Sequence, residues 1–137
     1  MNKLRYLLFL SLAGLCSGVS AANIMGFEQP DSITAQGKTL DLNGYGVRSK
    51  WLMNIYTAGL YVEKEQLQAS ANWVVYADSP MALRLVVMRD KLDSQRMIDA
   101  TRQGFEFSNG PQPLLQEELN QLLALYQDSV KKGDVFT

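Results

Sequence analysis

Apolar and polar positions alternate in short runs through the first half of the chain and take up helical spacing in the second. Ser32-Ile33-Thr34-Ala35, then Gln36-Gly37, then Lys38-Thr39-Leu40-Asp41-Leu42 place two alternating runs about a glycine that tolerates positive φ, which predicts a β-hairpin. Asn43-Gly44-Tyr45-Gly46 reads as a second turn. Residues 51–62 are rich in aromatic and β-branched side chains and contain neither proline nor charge, which predicts a long central strand. Gly59 within it marks a bulge or the close approach of another group.

Further on, Ser70 is placed to cap a short helix through Tyr76, ended by Asp78-Ser79-Pro80. Residues 82–88 alternate as a strand, with Leu83, Leu85 and Val87 on one face and Arg84, Val86 and Met88 on the other. Asp93 or Ser94 opens a helix whose Met97, Ile98, Thr101 and Phe105 keep helical spacing, and Asn109-Gly110-Pro111 breaks it. Pro113 begins a helix with Leu115, Leu119, Leu122, Leu123, Tyr126 and Val130 on one stripe, read as core. After Lys131-Lys132-Gly133-Asp134, a turn signal, Val135-Phe136-Thr137 reads as the opening of another strand, so the domain is expected to continue past Thr137.

The N-terminus changes this picture. Lys3 and Arg5 precede an apolar run from Tyr6 to Cys16, and Val19-Ser20-Ala21 supplies small residues at the positions a signal peptidase reads. Residues 1–21 are therefore expected to be a cleaved signal peptide, leaving one domain at 22–137 in the periplasm or outside the cell. The apolar run is shorter than the roughly 20 residues a membrane-spanning helix needs, so no span is expected after cleavage. Leu15 before Cys16 does not suit lipoprotein processing, and the thiol leaves with the signal.

Composition narrows the chemistry further. The chain has no histidine and a single cysteine, Cys16. After cleavage there is thus no Cys/His metal site, thiol nucleophile or Ser-His-Asp triad. No cofactor is called for, and acid–base work would fall to Tyr, Lys or carboxylates. Residues 22–137 carry 11 basic and 14 acidic side chains, with no basic run beyond Lys131-Lys132, which argues against nucleic acid as a partner.

The motif order resembles a known family. Leu-x-Leu-Asn-Gly-x-Gly-Val-Arg at residues 40–48, followed by a strand ending Ala-Gly-Leu-Tyr-Val at residues 58–62, resembles the chalcone isomerase-like domain, in particular its bacterial, signal-peptide-bearing branch. The strand at residues 83–89, the helix reaching Phe105 and the closing Lys131-Lys132-Gly133-Asp134 also fit. The resemblance implies an α+β fold, an antiparallel sheet with helices packed on one face and a ligand cleft between the layers. It also implies that the family's last strands and terminal helix are missing, leaving the domain incomplete at the C-terminus.

The same resemblance implies site residues. Arg48 takes the place of the family arginine that lies near a ligand's anionic oxygen in the isomerases, or holds a carboxylate with tyrosine in fatty-acid-binding relatives. Tyr56 falls where the isomerases have a threonine, while Thr57 points to the opposite face. The helix after Arg89 offers Arg96 and Gln103 where an active-site tyrosine and asparagine are expected, so the isomerase set is incomplete. Arg84 lies either at the cleft or on an exposed sheet face. Arg48, Tyr56 and Arg84 are the expected ligand-binding residues, with Asp41 or Asp90 as possible internal partners for Arg48. The expected function is non-catalytic binding of a small anionic amphipathic molecule, such as a fatty acid. The alternatives are an isomerase-type lyase acting on an enone-like substrate, or an envelope protein that binds a partner and keeps a vestigial cleft.

Overall fold

The structure, a computed structural model, describes residues 21–67, 70–110 and 115–137. The signal-peptide expectation, apart from Ala21, and Pro113 lie outside the described residues. Strands β1 (Ala22–Ile24) and β2 (Phe27–Gln29) form a small hairpin about Met25-Gly26. Five further strands form one antiparallel sheet in the order β3-β4-β5-β6-β7. They are β3 (Ser32–Ala35), β4 (Lys38–Lys50), β5 (Met53–Val62), β6 (Met81–Val87) and β7 (Val135–Phe136).

The first hairpin forms as the alternation predicts, turning at Gln36-Gly37 with φ of 49° and 77°. The second turn lies elsewhere. Asn43-Gly44-Tyr45-Gly46 does not reverse the chain but runs inside β4, and a register shift between Leu42 and Gly44 leaves Asn43 as the extra residue of a bulge. The reversal falls at Trp51-Leu52, so β5 begins only at Met53. Local turn chemistry gives way here to the long ladder between β4 and β5, whose register is held by every paired residue along it.

Helix α1 (Ala71–Tyr76) is capped by the Ser70 hydroxyl, which accepts from the Trp73 amide. Helix α2 (Ser94–Asn109) is capped by Asp93, whose Oδ1 accepts from the Gln95 and Arg96 amides, and it ends at Gly110 with φ of 67°. Helix α3 (Gln116–Ala124) is shorter than its apolar stripe. Tyr126 and Val130 are nonetheless buried, because the chain beyond the helix stays against the sheet and Val130 bridges to Leu92. Val135 and Phe136 then pair with Val86 and Leu85. The core joins Leu85 and Val87 of β6 to Met97 of α2, to Leu119 and Leu123 of α3, and to Tyr126 and Val130. This is an α+β architecture in which α2 and α3 cover one face of an antiparallel sheet.

The β1–β2 hairpin, which the alternation does not predict, covers part of the other face. Gln29 at its end is completely buried, and its Nε2 donates to the carbonyl oxygen of Arg84 at 3.3 Å. Tyr61, also completely buried, donates to the Pro30 carbonyl at 2.8 Å and to Gln29 Oε1 at 3.2 Å. Burial pushes the Tyr61 hydroxyl pKa up; the Arg84 charge works against this and the Asp31 charge adds to it. Gly59 is the point of close approach that its lack of a side chain suggests, with Gln29 directly over it.

Candidate functional site

Between the sheet and α2–α3 lies a cleft of about 880 Å³. The ladder explains which side chains enter it. Arg48 and Tyr56 are cross-strand partners on the helix-covered face, and Arg48 Cζ stands 6.0 Å from the centre of the Tyr56 ring. A second register shift, between Arg48 and Ser49, leaves Ile55 as an extra residue on β5. Strand alternation is broken there, so Ile55 and Tyr56 both line the cleft. Leu85 of β6 and Phe136 of β7 continue the sheet wall, and Met97, Phe105 and Leu122 form the helix wall.

A pair of hydroxyl groups lies among the apolar residues of the interior. Tyr126, nearly inaccessible, is hydrogen-bonded with Thr101 of α2. Its hydroxyl pKa is pushed up first by burial and then by the neighbouring Tyr56, and the Thr101 hydrogen bond works against both. At neutral pH the Tyr126 phenol is a neutral hydroxyl inside an apolar wall.

Charge collects at the mouth instead. Arg48, Lys50, Arg89, Lys91 and Arg96 all line it, with Asp93 as the carboxylate among them. Asp93 Oδ2 lies 3.6 Å from Arg96 Nε, which offsets part of that charge. Arg89 Nη1 rests on Met53 Sδ at 2.8 Å. Among the described ion pairs none involves Arg48, so neither Asp41 nor Asp90 is its partner. An exposed position makes such a partner unnecessary, since water solvates the guanidinium. Asp/Glu/His/Cys groups that could hold a metal ion are absent among the described residues.

The structure thus brings Arg48 and Tyr56 together in the cleft and places Arg84 elsewhere. Arg84 points to the opposite face, where its Nη1 donates to the Glu28 carbonyl at 2.8 Å and to Gln29 Oε1 at 3.1 Å. Its expected position at the cleft is corrected by strand alternation. Leu83 and Leu85 take the cleft face, so Arg84 must take the face under β1–β2. Thr57 is likewise on that far face and buried beside Gln29. Gln103 is exposed on α2 outside the cleft lining, whereas Arg96 reaches the mouth. Thr101 and Tyr126 are cleft residues that periodicity alone reads as packing positions. Their signal in the sequence is a hydroxyl at an apolar helical position on each of two segments.

These features define an α+β protein with a solvent-open cleft between sheet and helices, cationic at its mouth. A model of the chalcone isomerase-like family matches residues 21–137, and the chain belongs to that family. Among solved structures, a fatty-acid binding protein of Arabidopsis thaliana matches with a TM-score of 0.56 and 19% identity, over 80% of this chain and 66% of that one. The likeness is one of fold, and this chain spans slightly less than two thirds of that protein. No curated protein matches the chain. Among the described residues no helix is long and apolar enough to cross a membrane.

Proposed function

We propose that this protein binds a small anionic amphipathic molecule of the fatty-acid type in the cleft, without chemistry, and does so outside the cytoplasm. One observation carries the reading: Arg48, which has no ion-pair partner among the described residues, stands at the mouth of a cleft whose interior walls are mostly apolar. The cleft volume of about 880 Å³ suits a ligand with a long apolar part. Burying an acyl chain stabilises the complex by ~0.8 kcal/mol per CH₂. A charge-assisted bond from Arg48 to a carboxylate adds ~1.5–3 kcal/mol. Affinity then comes from the walls and orientation from the mouth. The fatty-acid binding protein that shares the fold supports the same reading. The location rests on the pattern of residues 3–21.

Titration with a fluorescent fatty acid tests this. Arg48→Ala is expected to weaken binding about tenfold or more, the equivalent of one lost charge-assisted bond. Arg96→Ala should cost less, because Asp93 already offsets its charge. Arg84→Ala should leave affinity in place while lowering thermal stability. Equal losses from all three substitutions would mean that diffuse positive charge, not Arg48, does the binding.

A second reading draws on Arg48, Tyr56 and Tyr126 sharing one cleft. Two phenols could polarise a carbonyl while the guanidinium stabilises an oxyanion, as an isomerase-type lyase requires. Turnover of a chalcone, abolished by Arg48→Ala, would replace the first reading with this one.

A further inference from the structure

The turn between β4 and β5 is built from residues that a turn of this kind ordinarily avoids. Trp51 and Leu52 hold φ of 55° and 63°, in the left-handed region where Asn and Gly are favoured. Neither side chain is buried in return: Trp51 is 81% exposed and Leu52 fully so. Met53 beside them is also exposed. The β1–β2 turn comes to the same end of the molecule, since Asn54 Nδ2 lies 3.1 Å from Met25 Sδ, and Met25 is 71% exposed at φ of 55°. Two hairpin turns therefore present Met25, Trp51, Leu52 and Met53 to solvent as one apolar tip. Backbone strain kept where no packing repays it points to a function outside the fold.

The surroundings say what covers this tip. Arg48 and Lys50 flank it on β4, Arg89 from the loop after β6 rests on Met53, and Lys91 of the same loop lines the cleft together with Trp51 and Met53. Asp90 and Asp93 are the carboxylates in that loop, and Asp93 is paired with Arg96. The chain as a whole carries a formal charge of −1, so this end is basic against the molecule's own balance. An exposed Trp and Leu ringed by Lys and Arg match a lipid–water interface with anionic headgroups. The indole and apolar side chains enter the headgroup boundary while the long cationic side chains remain at the phosphates. A second copy of this chain is a poorer occupant, because tip-to-tip association would bring the same cations together.

We propose that the Trp51–Leu52–Met53 tip, with Met25 beside it, docks this protein on an anionic lipid bilayer and sets the mouth of the cleft against the membrane. Trp51 and Met53 line the mouth as well as forming the tip, so docking places the cleft entrance at the headgroups. The purpose of that placement, exchange of an anionic amphiphile between bilayer and cleft, rests on the function proposed above.

Flotation of the purified protein with phosphatidylcholine vesicles, with and without phosphatidylglycerol, tests the docking. The protein is expected to bind the anionic vesicles and to leave them as salt is raised. Leu52→Glu should lower that binding about tenfold, and Leu52→Asn should lower it while raising Tm, because Asn tolerates the left-handed backbone. Leu52 does not line the cleft, so both variants should bind a fluorescent fatty acid in vesicle-free solution as the parent does. Unchanged flotation of Leu52→Glu would overturn the proposal, as would salt-independent binding to neutral vesicles. A shift in self-association with no change in flotation would overturn it too, and would make the tip a contact between copies. Fatty-acid binding without vesicle binding removes the docking alone; vesicle binding without fatty-acid binding removes the proposed ligand alone.

Discussion

A Cβ placed on Gly59 would lie 2.8 Å from Gln29 Oε1, 3.0 Å from Gln29 Cδ and 3.0 Å from Tyr61 Cε2. Both neighbours are completely buried, and Gln29 is held by hydrogen bonds to Thr57, Tyr61 and Arg84, so neither can step aside at low cost. Gly59→Ala is therefore expected to destabilise the fold by ~1–3 kcal/mol through overpacking, read as a drop in Tm. An unchanged Tm would show that the β1–β2 hairpin yields easily. Gly44 and Gly46 are different, since a Cβ on either meets open space. Their freedom is not needed for a turn, and Arg48 reaches the cleft because it pairs with Tyr56 on that face.

The segment after α3 shows how an element's packing sets its titration. Tyr126 lies beyond the helix end, edge-on to Phe136 with ring centres 5.1 Å apart, and hydrogen-bonded with Thr101 across the cleft wall. Its folded pKa stands above the ordinary 10.0, chiefly because burial disfavours the phenolate. The stability this reflects is complete below pH 10 and is lost as pH rises through the folded pKa, because the unfolded chain releases its proton first. Tyr61, raised in the same direction, adds to the alkaline decline. Tyr126→Phe should therefore cost ~1 kcal/mol at neutral pH, from the lost hydrogen bond, yet make the fall in Tm above pH 10 shallower. Parallel melting curves for parent and variant across pH 8 to about pH 11 would contradict the assignment.

On the scale of the whole molecule, the sheet separates two kinds of surface. The face under β1–β2 is closed by a polar cluster of Gln29, Thr57, Tyr61 and Arg84, which holds the hairpin down. The face under α2 and α3 stays open enough to keep a cleft, with its cations and its apolar tip at one end. The proposed export rests on the pattern of residues 3–21, with cleavage after Ala21. The corresponding expectation is that protein recovered from outside the cytoplasm begins at Ala22, read by N-terminal sequencing; a chain still starting at Met1 would remove the processing step.

The sequence by itself determined the features that depend on near neighbours along the chain. Alternation set β3 and β6, aromatic and β-branched composition set most of β5, and capping residues set the starts of α1 and α2, because a strand's period and composition and a cap's hydrogen bond are local properties. It also placed Arg48 and Tyr56 by their motif, and Thr57 and Arg84 on definite strand faces. Which layer covers each face was a tertiary matter. Strand alternation keeps Arg84 off the cleft face, and a hairpin some 55 residues away in sequence covers the far face and makes Arg84 its anchor. The chain reverses at Trp51-Leu52 rather than Asn43-Gly44 because a long ladder outweighs one turn's local preference. Tyr126 enters the site from beyond α3 because burial follows the shape of the cleft rather than helical spacing.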